Sequence, residues 1–189
     1  MTNDPFATHQ PVLKKNLSIL DKNKPILELG CGHGSTPLLH DFSTSHQVEI
    51  YTFDNNEEWL NIISSQYKSH KYHNYIKVND WNIELKEYLK YDWSLVFIDQ
   101  APWEARTLSL ELFKNKTDYV ILHDCDYFPA NNVFGKQYSP IISSLSTGHR
   151  DYSDILKYYV EYFPKHFASP SGPPTLLGSQ YNKIDFLIE

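Results

Sequence analysis

The chain has 189 residues, 41% of them hydrophobic and 21% charged, and a net charge of −6. That length and balance fit one globular domain with its own core, and the acidic balance speaks against nucleic acid as a substrate, because phosphate neutralisation needs a basic face. No apolar run approaches the ~20 residues that span a bilayer, and the N-terminus lacks a signal peptide's apolar core. With only two cysteines, Cys31 and Cys125, the expected setting is reducing and cytoplasmic.

Met1–Ala7 is polar. Pro11–Asp21 places Val12, Leu13, Leu17 and Leu20 at helical spacing, with Pro11 suited to a first turn. The apolar run from Pro25 to Leu29 enters glycines at 30, 32 and 34, which predicts a buried strand, a tight turn and a helix over Thr36–Phe42. Val48–Phe53 predicts a second strand ending at Asp54, and Glu57–Tyr67 an amphipathic helix. The basic-leaning stretch Lys68–Lys77, with His70 and His73 inside it, reads as a solvated helix end or loop, and Tyr75–Val78 as a third strand ending at Asn79-Asp80. Then follow a helix over Ile83–Leu89, a strand over Trp93–Ile98 ending at Asp99, a helix over Glu104–Phe113, and a strand over Tyr119–Leu122 ending at His123-Asp124.

Beyond Tyr127 the pattern loosens, and 128–174 reads as a substrate-shaping insertion with one helix near Pro140–Leu145. Tyr158–Phe163, Thr175–Leu177 and Lys183–Ile188 predict closing strands around a Ser/Pro/Gly turn cluster at 169–174. The βα alternation with nearly continuous apolar strands predicts a single α/β domain over 1–189: a doubly wound, mostly parallel sheet with helices on both faces. Acids follow the strands at 28, 54, 80, 99 and 124. In such sheets ligands bind at the carboxyl ends of the strands.

The segment Ile26-Leu-Glu-Leu-Gly-Cys-Gly-His-Gly resembles motif I of the class I, Rossmann-like methyltransferases that use S-adenosyl-L-methionine (SAM). The resemblance covers about residues 24–126 and implies an antiparallel strand near the C-terminus, SAM as cofactor and methyl transfer as the activity. It places Glu28, Gly30, Cys31, Gly32 and Gly34 around the cofactor's amino acid and ribose, with Glu28 receiving a hydrogen bond from its ammonium. Asp54 and Asn55 would meet the ribose hydroxyls, and Asp80 and Trp81 the adenine. The alternatives are a helix cap for Asp54, a surface turn for Asp80 and a core indole for Trp81. The glycine spacing is one residue tighter than the dinucleotide fingerprint, which disfavours a nicotinamide enzyme.

Two constellations compete for the methyl acceptor. Asp99, with His123 and Asp124 and also Asp126, can orient an acceptor as a general base. Asp99, His123 and Asp124 can also hold a divalent metal, and a loop-stabilising role is the third reading. The other constellation is Gln100-Ala-Pro-Trp103, which loosely resembles the Asn/Asp-Pro-Pro-aromatic motif of amino-methyltransferases, with Gln100 and Ala101 as departures. Trp103 reads as a pocket wall, and Arg106 as a partner for an anionic substrate or as a helix-surface residue. His9 reads as a surface histidine or a lid contact, and Cys31 and Cys125 as buried packing. The leading expectation is O-methylation of a small molecule or saccharide. N-methylation through Gln100–Trp103 and a non-catalytic scaffold of the same fold are the alternatives, and the oligomeric state stays open.

Overall fold

The structure is a computed structural model that describes residues 7–125, 152–162 and 173–185. Seven strands form one sheet: β1 (Ile26–Leu29), β2 (Ile50–Asp54), β3 (His73–Lys77), β4 (Trp93–Ile98), β5 (Thr117–His123), β6 (Tyr158–Tyr162) and β7 (Thr175–Ser179). Their order across the sheet is β3-β2-β1-β4-β5-β7-β6. Every pairing among β1 to β5 is parallel, and β7 runs antiparallel to both β5 and β6. This is the doubly wound, mostly parallel sheet that the sequence predicts, with its antiparallel departure near the C-terminus.

The central strands β1 and β4 are buried along their whole length. Their near-continuous apolar runs follow from cover on both faces. Successive side chains serve opposite faces. Leu27, Leu29, Val96 and Ile98 share one core with Trp81 of α4 (Trp81–Glu84) and with Leu110 and Phe113 of α5 (Glu104–Phe113). Ile26, Leu95, Phe97 and Ile121 share the other with Val12, Leu13 and Leu17 of α1 (Gln10–Leu17) and with Leu39 and Phe42 of α2 (Thr36–His46). Helix α3 (Glu57–Gln66) packs Leu60 and Ile63 against Cys31.

Three local differences from the expectation have identifiable causes. β3 begins at His73, two residues before the expected Tyr75, because His70 and His73 exchange backbone hydrogen bonds of 3.2 and 3.0 Å and start the strand there. The helix expected over Ile83–Leu89 is instead α4 followed by a 3₁₀ stretch over Leu85–Lys90. Its start is fixed by Asp80, which caps Asn82 N, and by Glu84, whose Oε1 accepts from the amides of Asn79 and Asp80 at 2.8 and 2.9 Å. Residues 183–185 are not a strand, since Ser179 Oγ accepts from the amides of Tyr181 and Asn182 and turns the chain directly after β7. The remainder of that expected strand and the helix near Pro140–Leu145 lie outside the described residues. Within 128–174, Tyr152, Ile155 and Leu156 belong to the core and β6 to the sheet. Among the described residues, no helix is long and apolar enough to cross a membrane.

The turn after β1 is set by a close approach of two backbones. Gly30 has φ +87°, and a Cβ there would lie 2.5 Å from the Asp99 carbonyl oxygen and 2.7 Å from Gln100 N. Gly32 is different, because a Cβ there meets nothing within 4 Å. Gly30→Ala should therefore lower unfolding stability by at least ~2 kcal/mol, and Gly32→Ala by less than about 1 kcal/mol. Urea denaturation midpoints of the two variants check this contrast.

Candidate active site

The Gly-rich turn rests on Glu28. This side chain is fully buried; Oε1 accepts from the Ser35 and Thr36 hydroxyls at 2.6 and 3.0 Å, and Oε2 from Thr52 at 2.6 Å. Thr36 Oγ1 in turn accepts from Gly32 N at 3.0 Å, so the carboxylate organises the turn from beneath. Burial pushes its pKa up to about 7, although the three hydroxyls oppose the shift. The carboxylate expected to meet an ammonium thus faces the sheet interior, engaged on both oxygens.

Asp54 stands at the tip of β2 beside the same turn. Its Oδ2 accepts from Cys31 N at 3.1 Å and from Cys31 Sγ at 3.4 Å, and its Oδ1 from Asn56 N at 2.8 Å. An ionised carboxylate offers about four lone-pair sites, so both oxygens retain capacity. The cap of α3 is Asn56, which accepts from Trp59 N, and Asn55 is half-buried between them. Burial and the neighbouring Asp54 push the Cys31 thiol well above its usual range, which makes it an inert packing group. Asp80 is an exposed helix cap, and Trp81 is a core indole whose N–H donates to Ala101 O at 2.8 Å. The positions expected at an adenine thus hold a helix cap and a core indole.

A second cluster sits at the adjoining tips of β4 and β5. His123 Nδ1 lies 3.1 Å from Asp99 Oδ1, and His123 Nε2 lies 2.9 Å from Thr8 Oγ1. Arg106, only 7% exposed, ties the cluster together. Its guanidinium reaches Asp99 Oδ1 at 2.9 Å and Asp124 Oδ2 at 2.8 Å, and donates to the carbonyls of Gln100 and His123 at 2.9 and 3.0 Å. Burial disfavours the charged form of His123, but Asp99 and Asp124 prevail and raise its pKa. Burial likewise opposes ionisation of Asp99, yet His123 and Arg106 hold its carboxyl below the usual range.

The set weighed for a metal, Asp99, His123 and Asp124, does not converge on one point. Asp124 is turned to Arg106, and it is His9 that joins Asp99 and His123 in offering ligand atoms within 4.8 Å of one another. The Arg106 guanidinium is already ion-paired with both carboxylates. Asp126 lies outside the described residues.

His9 is buried, and not on the surface as its type leads one to expect; its ring packs edge-on against Phe97 and His123 at 5.1 and 4.6 Å. Burial and the neighbouring His123 push its pKa down to about 3. Gln10 Nε2 donates to Gly34 O at 3.0 Å, so Thr8–Gln10 straps the Gly-rich turn to the tip of β5. Arg106 is likewise no helix-surface residue. Sequence spacing marks neither Thr8 nor Arg106: Arg106 follows the tip of β4 along the chain, whereas Thr8 precedes α1 and is far from any strand in sequence.

Gln100, considered as an acceptor for a planar amine, is fully buried, and its Nε2 donates to Ser109 Oγ at 2.8 Å. Trp103 is half-buried, with the Arg106 guanidinium 5.1 Å from its ring centre.

No protein-family model and no curated protein sequence matches the chain. Solved structures do. A Staphylococcus aureus protein proposed to be a caffeoyl-CoA O-methyltransferase superposes with a TM-score of 0.56 at 16% identity, covering 89% of this chain and 78% of its own. An rRNA methylase from Streptococcus thermophilus gives 0.53 at 14% identity, over 88% and 91%. A protein from Streptococcus mutans proposed to be a methyltransferase, solved in complex with SAH, gives 0.53 at 14%, over 94% and 97%. The chain therefore has the fold of the class I SAM-dependent methyltransferases.

The raised pKa of Glu28 has a signed consequence for stability. From about pH 4.5 to about 7 the native state holds a proton that the unfolded chain has released, so this group's contribution falls as pH rises through that window. Glu28→Gln should remove that slope. The stability difference between wild type and variant should shift against the wild type by up to roughly 3 kcal/mol between pH 4 and pH 8, as read by denaturation across pH.

Proposed function

We propose that this protein transfers the methyl group of SAM to a hydroxyl of a small molecule or saccharide. The reading is carried by one observation: the Gly30 turn presses on the Asp99–Gln100 backbone, so the turn and the Asp99–His123 pair share one set of strand tips. The residues at the turn fit the cofactor. Gly32 opens to space that a Cβ would enter without contact, and the Asp54 carboxylate stands beside it with acceptor capacity on both oxygens. The Streptococcus mutans structure, which has this fold and contains SAH, supports the same reading.

When bound, SAM supplies an electrophilic methyl on a sulfonium. The backbone of Gly30–Gly34 and the side chain of Cys31 would line its amino acid and ribose portion, with Asp54 and Asn55 at the ribose hydroxyls. Glu28 supports this surface from below by holding Ser35, Thr36 and Thr52. Asp99 accepts from His123 Nδ1, which fixes the imidazole's orientation and leaves Nε2 as the basic nitrogen, facing Thr8 Oγ1. That nitrogen is placed to take the proton of an acceptor hydroxyl as general base. Arg106 holds Asp99 and Asp124 in place and keeps both tips together. None of these roles requires a metal.

The net charge of −6 supports a small or saccharide acceptor over RNA. The full burial of Gln100 supports oxygen over nitrogen as the methylated atom. A reducing, cytoplasmic setting is supported by Cys31 and Cys125, both buried as thiols.

Calorimetry with SAM and with SAH tests the assignment, and binding of neither would leave a scaffold of the same fold. Asp54→Ala should weaken SAH binding by roughly 1.5–3 kcal/mol. His123→Asn should lower turnover on a panel of saccharide and phenolic acceptors by about 10²- to 10⁴-fold while leaving SAH affinity within a few-fold. An unchanged turnover would remove His123 from the chemistry.

A further inference from the structure

A second group of chemically capable side chains lies away from the cleft. His40 is on α2, His73 is the first residue of β3, and His70 sits in the turn just before it. The paired backbones of His70 and His73 hold those two residues together, and the rings of His40 and His70 lie edge-on with centres 5.0 Å apart. Each of the three histidines offers a ligand atom, and these atoms all lie within 4.8 Å of one another. His40 Nδ1 and His73 Nδ1 are 3.1 Å apart. Two imidazole nitrogens bound tetrahedrally at the usual Zn–N distance stand about 3.3 Å apart.

The hydrogen bonds around His73 fix which of its nitrogens carries the proton. Thr52 Oγ1 is 2.6 Å from Glu28 Oε2 and donates to it whenever that carboxylate is ionised. The same hydroxyl oxygen lies 2.8 Å from His73 Nε2, so it accepts the Nε2 proton. His73 Nδ1 is then a bare lone pair on a fully buried ring, aimed at His40. A ligating histidine whose other nitrogen is held by an outer-shell partner is the arrangement that metal sites use to orient a ring. His40 and His70 are only half-buried, which gives an ion a way in.

We propose that His40, His70 and His73 bind one divalent transition-metal ion of the zinc class, at a site separate from the methyl-transfer cleft. Three imidazoles with no carboxylate or thiolate among them suit Zn²⁺, Ni²⁺ or Cu²⁺ and not the oxygen-seeking Mg²⁺ or Ca²⁺. Such an ion would clamp α2 to the start of β3. Through His73, Thr52 and Glu28 it would also brace the underside of the Gly-rich turn.

The test uses the full chain, stripped with chelator and titrated with ZnCl₂ and, separately, CoCl₂. One equivalent of Zn²⁺ should bind and raise the Tm, and Co²⁺ should give the intense visible absorption of a tetrahedral nitrogen-rich site. His40→Ala and His70→Ala, at half-buried positions, should each weaken Zn²⁺ binding at least ~10-fold with an unchanged far-ultraviolet circular dichroism spectrum. Asp99→Asn should leave it unchanged. Wild-type binding no tighter than that of the two histidine variants would overturn the site. So would loss of Zn²⁺ binding in Asp99→Asn with retention in His40→Ala, which would locate the ion in the cleft.

Discussion

The packing of Gly30 against the backbone of Asp99 and Gln100 is the contact on which the rest of this molecule depends. Two neighbouring parallel strands end at the same height, and only a residue without a Cβ, at positive φ, lets the chain turn away between them. Gly30 N donates to Phe53 O and Asp99 N to Leu29 O, at 2.8 and 2.7 Å, so the tips of β2, β1 and β4 are locked in sequence. Asp54 and Asp99 are thereby placed on either side of one turn. Neither could be moved without rebuilding the contact.

On that frame the site divides into two electrostatically distinct halves. Around the turn, the buried Glu28 carboxylate is solvated by hydroxyls, an arrangement in which the proton can be held or lost near neutral pH. At the tips of β4 and β5 a guanidinium, two carboxylates and an imidazole balance one another. Desolvation of so many charges is costly unless nearly every donor and acceptor is met. Arg106 satisfies this requirement by reaching two carboxylates and the carbonyls of Gln100 and His123. The segment Thr8–Gln10 then closes over both halves, one end on His123 and the other on Gly34.

Much of the fold was legible because the central strands are covered on both faces and the helices on one. The run Trp93–Ile98 and the spacing of Val12, Leu13 and Leu17 can hardly be read otherwise. The acids at strand tips were legible for the same reason, since a parallel strand must end in a polar turn. What those side chains touch was not. Glu28 faces inward because Ser35, Thr36 and Thr52 arrive from a helix start and a neighbouring strand. His9, Arg106 and the His40–His70–His73 group are brought to their places by packing between elements far apart in the chain. Single-sequence patterns report periodicity along the chain and carry no record of such meetings. Lys68–Lys77, which reads as a solvated basic stretch, in fact contains a wholly buried histidine.

The central claim is that a nucleoside cofactor lies over Gly32 with its ribose at Asp54, next to the Asp99–His123 pair. A crystal structure of the protein with SAH measures this directly. The account predicts ribose hydroxyls within hydrogen-bond distance of the Asp54 carboxylate and the sulfur on the Asp99 side of the turn. SAH bound elsewhere, or an Asp54 carboxylate with no ligand atom near it, would contradict it.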